Sequence, residues 1–390
     1  MIVKPKIRGF VCLTAHPTGC EKHMADQIGY VKRHPSISGA PKKVLILGSS
    51  TGYGLATRIA SAFGGKAETF GVYFERPPAP GKPASAGWYN NRAFEKNAAA
   101  NGILAHSLNG DAFSEDVKKQ VVESLRKTVG PVDTVVYSLA APRRNGADGK
   151  VHKSVLKPIG QSFTGKTLDT DHVRVFDITL PPASENEIAD TVKVMGGEDW
   201  EQWIRRLDTE GLLADGIQTL AYSYIGPRLT WPIYRDGTIG RAKDHLYQTA
   251  QKLNSFLGKK YHGKAIISIN KAVVTQASSA IPVVPLYLSI LFKHLAEKGL
   301  QEDCIQQMYR LWKGLYATPD SLTWDPNGYI RLDDHEMHPD IQDTIGRVWP
   351  QVTTETLSKW ADFPAYQKNF LQLFGFGLDG IDYEKEVEIA

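Results

Sequence analysis

The sequence predicts an α/β fold organised as a doubly wound parallel sheet, on three observations. A continuous apolar run ends in a cluster of glycines; further apolar runs alternate with stretches of helical periodicity; and polar or acidic residues stand where those runs end.

The first element is VLIL at 44–47, whose unbroken apolar character suits a strand buried on both faces. A helix follows, with Leu55, Ile59 and Ala62 or Phe63 at helical spacing and Gly64-Gly65 as its stop. Between them lies Gly48-Ser49-Ser50-Thr51-Gly52-Tyr53-Gly54, a G-x3-G-x-G turn. Glycines let the main chain turn sharply and approach a pyrophosphate, the helix N-terminus presents free N–H groups to it, and Ser49, Ser50 and Thr51 add hydroxyl donors. The P-loop pattern G-x4-G-K-[ST] does not occur at this turn, which disfavours that class of NTPase.

The second strand, AETFGVYFE at 67–75, ends in Glu75. A carboxylate there accepts from both hydroxyls of an adenosine ribose and repels a 2′-phosphate, which favours NADH over NADPH, although neighbouring Arg76 offsets part of the repulsion. ILAHSL (103–108), leading into Asp111-Ala112, and VDTVVYSLA (132–140) are two more strands, and the segment between them is a helix with Ser114 as N-cap. Ligands in such a fold sit at the carboxyl ends of strands, marked here by Gly48, Glu75, Asp111 and Leu139-Ala140.

A second informative stretch runs from 221 to 258. Leu246, Ala250, Leu253 and Leu257 form a helical apolar stripe headed by Lys243, which either snorkels to solvent or is aimed at a ligand. Tyr234 precedes Lys243 by nine residues, which on one unbroken helix would place the two on opposite faces. Asp236-Gly237 is a turn signal, however, and with Thr238 as cap the helix begins near Ile239, leaving Tyr234 free to fold back. A phenol needs positioning to serve as a proton donor, a nearby ammonium favours its anionic form, and a lysine also holds the ribose of a nicotinamide cofactor. Taken alone, without the upstream glycine turn, the pair reads more readily as a packed core tyrosine and a solvated surface lysine. Tyr222 and Tyr224 share one face of the strand-like TLAYSYIG, and Tyr224, nearer its end, is the candidate for reaching a substrate carbonyl. KAIISINKAVVT (264–275) is a further buried strand whose end places Val273, Val274 and Thr275 where backbone groups can bind a nicotinamide amide. The apolar segment 280–292 reads as a core helix or as the wall of an acyl-chain pocket.

Composition bounds these readings. The chain has 390 residues, 42% hydrophobic and 23% charged, enough for a large core. The net charge of +4 is interspersed, which gives nucleic-acid binding little support. The longest apolar stretch, Ala280 to Phe292, is shorter than the ~20 residues a membrane span needs, and it contains Pro282 and Pro285. Three scattered cysteines and the lack of a signal-like opening point to the cytoplasm. His16, Cys20 and His23, and the run Asp333-Asp334-His335-Glu336-Met337-His338, lack the spacing of a zinc site and read as structural or surface groups, so no metal is expected.

With these motifs in place, the chain resembles the enoyl thioester reductases of the FabV type, which include the trans-2-enoyl-CoA reductases. The resemblance extends from MIVKPKIRGFVCLTAHPTGC through GSSTGYGLA, FGVYFE, VYSLAAPRR, HKSVLKPIG, TVKVMGGEDW and AYSYIGP to the Y-x8-K of Tyr234 and Lys243. It implies NADH-dependent reduction of the 2,3 double bond of a trans-2-enoyl thioester carried on acyl carrier protein or coenzyme A, the last step of fatty acid elongation. It further implies Tyr234 as proton donor, Tyr224 at the substrate and Lys243 on the cofactor, with cofactor contacts at Gly48, Ser49, Ser50, Thr51, Gly52, Tyr53, Phe74, Glu75, Asp111, Ala112, Leu139, Ala140, Val273, Val274 and Thr275. The resemblance implies one Rossmann-like domain over 1–390 enlarged by insertions, with a core at about 42–295, a segment 1–41 and a helical region 296–390 packed on it, acting as a monomer. Asp244 follows Lys243, so one lysine serves this point of the motif. A carbonyl reductase using the same tyrosine and a non-catalytic dinucleotide sensor are the alternatives; a sensor has no need of a proton donor.

Overall fold

The computed structural model describes residues 1–146 and 149–389. Seven strands form the central sheet: β1 (Lys43–Leu47), β2 (Glu68–Tyr73), β3 (Ala105–Asn109), β4 (Val132–Tyr137), β5 (Leu213–Ser223), β6 (Lys264–Asn270) and β7 (Ile330–Leu332). They lie in the order β3-β2-β1-β4-β5-β6-β7, with every pairing parallel. This is the doubly wound arrangement, and the order reverses between β1 and β4, where a crevice opens at the carboxyl ends.

The apolar run of β1 explains its central position. Leu45 and Leu47 pack on one face with Trp200, Trp203 and Leu246, while Val44 and Ile46 pack on the other with Leu55, Ile59 and Trp312. All four strand residues are fully buried, and burial of each leucine or isoleucine contributes about 1.5–3 kcal/mol.

A third apolar cluster is centred on the helix Val284–Glu297, whose Leu286, Leu288, Ile290 and Leu291 are fully buried against Ile341, Ile345, Tyr366 and Phe370. The segment 280–292 is therefore a core element at these positions. Region 296–390 also supplies β7, which extends the main sheet beyond the expected core; three residues are too few to show alternation in sequence. Two antiparallel hairpins, Arg143–Asn145 with Val151–Lys153 and Phe163–Asp169 with Arg174–Leu180, are inserted between β4 and β5.

Two helix boundaries differ from expectation. The helix Gly52–Ile59 widens into a π-helical turn over Ala60–Gly64, and the left-handed residue that ends it is Lys66 (φ +56°) instead of a glycine. The helix Thr238–Tyr261 is capped by Gly237, with Thr238 inside its first turn. The chain ends meet: the Met1 ammonium donates to Val387 O at 2.9 Å, and the Val387 N–H donates to Met1 O at 3.0 Å. Among the described residues, no helix is long and apolar enough to cross a membrane.

Candidate active site

The crevice between β1 and β4 is built from main chain. Gly48 has φ +89°, and a Cβ added there would stand 2.3 Å from Ser138 O; one added at Gly54 would stand 1.9 Å from Gly48 O. The turn is thus pressed onto the end of β4 with no room for side chains. Thr51, in extended conformation, precedes the helix and makes no side-chain cap, which leaves the first-turn N–H groups available to an anion.

Glu75 reaches this turn from the end of β2. Ser50 Oγ donates to Glu75 Oε1 at 2.8 Å, and a Cβ on Gly87 would come within 2.1 Å of the same oxygen. Asn109, which sequence reasoning missed, braces the Glu75 backbone with reciprocal 2.9 Å bonds, its Oδ1 accepting from Glu75 N–H and its Nδ2 donating to Glu75 O. Glu75, Arg76, Ser85 and Gln276 help line a cavity of about 440 Å³, and Phe74 is 74% exposed beside it. The Arg76 guanidinium turns to Pro83 O.

The remaining predicted cofactor positions divide. Leu139 packs against Gly48, Thr275 Cγ2 lies 3.7 Å from where a Gly52 Cβ would stand, and Val274 lines a cavity with Thr51 and Gly52; Val273 is buried, and Ala140 follows Leu139 in the chain. Thr275 caps a short helix reciprocally with Ser278. The Tyr53 hydroxyl is committed to Lys271 O at 2.6 Å, which leaves its backbone N–H, in the first helical turn, as its free donor. Asp111 accepts the Phe113 N–H within its own turn, and Ala112 O accepts from the buried Trp203 indole.

The other half of the site is made of side chains. Tyr234 ends the 3-10 turn Arg228–Ile233, and its carbonyl accepts from both Gly237 N (3.2 Å) and Gly240 N (2.9 Å), folding the loop back on the helix Thr238–Tyr261. A Cβ at Gly240 would meet Arg235 O at 1.8 Å, so this close return requires glycine. Arg235 pairs with Asp244 at 3.5 Å across the bend. Gly240 and Lys243, three residues apart, share a helix face. Thr238 Oγ1 donates to Val155 O and accepts the Lys157 N–H, tying the helix start to the inserted segment instead of capping it.

Lys243 Nζ donates to Tyr222 O at 3.1 Å, and burial pushes its pKa down to about 8. The Tyr234 ring meets Tyr224 edge to face, with centroids 5.0 Å apart at 77°. Tyr234 and Lys243 are therefore brought to the same strand end, one on the Tyr224 ring and one on the Tyr222 carbonyl, without a hydrogen bond between them. Burial raises the pKa of both phenols, Tyr224 further through the Glu336 charge. Tyr224 donates its hydroxyl to Glu336 Oε1 at 2.8 Å, whereas the Tyr234 hydroxyl has no protein partner among the described residues. Tyr222 is a core residue, with its hydroxyl on Thr57 and its ring against Tyr53.

Of the two roles open to the acidic run, structural or surface, Glu336 and Asp333 take the structural one. Glu336 is fully buried, and Asp333, 1% exposed, is held by Arg331. His335 pairs with Glu302. His16 Nδ1 accepts the Gly19 N–H as a helix cap, and its ring packs on Phe376 and Tyr383.

Comparison with known proteins agrees with this geometry. The family model described as the trans-2-enoyl-CoA reductase catalytic region matches residues 82–316, and that of the NAD(P)H binding domain of trans-2-enoyl-CoA reductase matches 2–80. A third, described as an enoyl reductase FAD binding domain, matches 324–387. An enoyl-[acyl-carrier-protein] reductase [NADH] of Opitutus terrae is 52% identical, over 100% of this chain and 98% of that protein. A trans-2-enoyl-CoA reductase of Euglena gracilis is 51% identical, over 100% of this chain and 72% of its own. Among solved structures, Clostridium acetobutulicum trans-2-enoyl-CoA reductase in complex with NADH superposes with TM-score 0.96 at 42% identity, covering 100% and 98% of the two chains. The Treponema denticola trans-2-enoyl-CoA reductase in complex with NAD does so with TM-score 0.95 at 47% identity, covering 99% and 98%.

The glycine cradle and the Glu75 carboxylate fit a dinucleotide. Residues 324–387 do not fit a flavin. They hold the three-residue β7 and helices whose buried side chains, Ile341, Ile345, Phe363 and Phe370, pack on the helix Val284–Glu297, with no second glycine-turn unit among the described residues.

Proposed function

The chain belongs to the trans-2-enoyl-CoA reductase family and reduces the 2,3 double bond of trans-2-enoyl thioesters with NADH, and we propose that Tyr234 is the proton donor and Lys243 the cofactor anchor. NADH, when bound, supplies a hydride to the substrate Cβ. The π electrons of the double bond then move to the thioester oxygen, and that enolate needs a donor aimed at it. Tyr234 donates its O–H proton to the enolate, that proton arrives at Cα directly or by tautomerisation of the enol to complete the saturated thioester, and the phenolate left behind is reprotonated from solvent. The single observation that supports this assignment is the contrast between the two adjacent phenols: Tyr224 donates its hydroxyl to Glu336, while the Tyr234 hydroxyl has no protein partner among the described residues.

Lys243, as an ammonium, binds the nicotinamide ribose hydroxyls, and Val273 to Thr275 present backbone groups to the amide. Gly48 to Tyr53 surround the pyrophosphate; Glu75 accepts from the adenosine ribose, with Phe74, Asp111, Ala112, Leu139 and Ala140 around the adenosine and the crevice. Tyr224 forms the substrate-side wall. The substrate carrier is acyl carrier protein or coenzyme A, and the chain works as a monomer.

Tyr234→Phe is expected to lower kcat with a crotonyl thioester by about a hundredfold or more, with little change in the KM for NADH. An unchanged kcat removes Tyr234 from the chemistry. Running acetoacetyl thioester in parallel separates double-bond from carbonyl reduction.

A further inference from the structure

Glu336 lies far from every motif that marks the site, yet it touches both halves of it. Its side chain is fully buried. Oε1 accepts from the Tyr224 hydroxyl at 2.8 Å and from the Tyr287 hydroxyl at 2.7 Å, while Oε2 accepts the Ala272 N–H at 2.6 Å. Ala272 opens the segment that continues into Val273, Val274 and Thr275, and Tyr224 carries the edge-to-face contact with Tyr234. Gln342 closes the arrangement from behind, its Nε2 donating to Tyr287 Oη (3.1 Å) and to Glu336 O (2.7 Å).

We infer that Glu336 is a positioning residue for the reduction: one carboxylate sets the Tyr224 ring that supports Tyr234 and, through Ala272, the backbone beside the nicotinamide. The inference rests on the reading of Tyr234 and Tyr224 given above.

The chemistry favours a carboxylate over any other group. Three donors converge on two oxygens, and an ionised carboxyl is acceptor-only, so it satisfies all three at once. An amide of the same shape that keeps its oxygen on the Ala272 N–H turns its NH2 toward the two hydroxyls, which must then accept, so the Tyr224 hydrogen is released from this carboxyl position and the polarity of the link is reversed. A buried charge of this kind requires compensation, and Lys271, itself 1% exposed, stands next in sequence to Ala272 and donates to its carbonyl at 3.1 Å. Burial raises the Glu336 pKa, while the Ala272 N–H, the two hydroxyls and the Lys271 charge oppose that rise. Its hydroxyl bond to Glu336 orients Tyr224, and the neighbouring Tyr234 is the phenol whose hydroxyl has no protein partner among the described residues.

The test is steady-state kinetics of Glu336→Gln, Tyr224→Phe and the double variant with crotonyl thioester and NADH. The expected result is a fall in kcat of at least tenfold in Glu336→Gln, with the KM for the thioester changed less than threefold. The double variant should be within twofold of the slower single one, because both changes cut the same link. A kcat within twofold of the parent in Glu336→Gln, or losses that multiply in the double variant, overturns the inference. Tyr287→Phe removes a donor from the same oxygen while sparing Tyr224 and should stay within twofold; a loss equal to that of Glu336→Gln overturns it too, since that outcome reflects general packing. Should the Gln variant fail to fold, Glu336→Asp keeps the charge but withdraws it by one methylene, and an unchanged kcat there overturns the inference. An unchanged kcat in Tyr224→Phe also overturns it, and Tyr234→Phe measured alongside shows whether the underlying site reading falls as well.

Discussion

Around Gly48 and Gly54 the site is made of main chain, and the turn itself lies within a few residues of the end of β1, pressed onto Ser138 at the end of β4. At the end of β5 it is made of side chains, and its parts arrive from Tyr224, Tyr234, Lys243 and, 112 residues beyond Tyr224, Glu336. The first region owes its shape to a backbone with no room for side chains; the second rests on side-chain contacts, Lys243 on Tyr222 O, Tyr224 on Glu336 and the Tyr234 ring on Tyr224. Main-chain construction tolerates almost no substitution, whereas side-chain construction degrades in steps that kinetics can resolve.

Three measurements sharpen that contrast. The largest effect belongs to Gly54→Val, whose Cβ meets Gly48 O, an atom fixed by the strand. Overpacking of about 3 kcal/mol translates into at least about a hundredfold weaker NADH binding by fluorescence titration; binding within a fewfold of the parent would show that the turn yields after all. Next comes Glu75→Ala, which removes charge-assisted bonds to the ribose of about 1.5–3 kcal/mol. The KM for NADH should rise about 10- to 100-fold while that for NADPH rises less, and an unchanged preference between them would separate Glu75 from the ribose. The smallest is the pH profile. Burial lowers the Lys243 pKa to about 8, so the protonated, donating form is dominant at neutral pH and lost as pH rises. Log kcat/KM for NADH should therefore decline above about pH 8, by about tenfold between pH 7 and 9; a flat profile over that range would mean that the ammonium is not what binds.

The same contrast governs what the sequence revealed. β1, the glycine turn and Glu75 were legible because each is a local pattern: buried run, turn, helix, then a strand closed by a carboxylate. The bend between Tyr234 and Lys243 was legible from Asp236-Gly237, although the cap proved to be Gly237, and Thr238 turned instead to Val155 O and the Lys157 N–H. Glu336 was not singled out because no periodicity marks an acid that folds inward; inside a run of acids and histidines it read only as one of several structural or surface groups. β7 was missed for its brevity, and the Asn109 brace because an asparagine just past a strand signals a turn more strongly than a contact.

The reciprocal bonds between Met1 and Val387 make the polypeptide nearly a ring. Its beginning and end are neighbours in space, so a linker of a few residues can join them and new ends can be opened at an exposed loop elsewhere. An affinity tag fused ahead of Met1 replaces the ammonium of that pair with an amide, whereas one fused after the last residue leaves it intact, which recommends carboxyl-terminal tagging for every measurement described above.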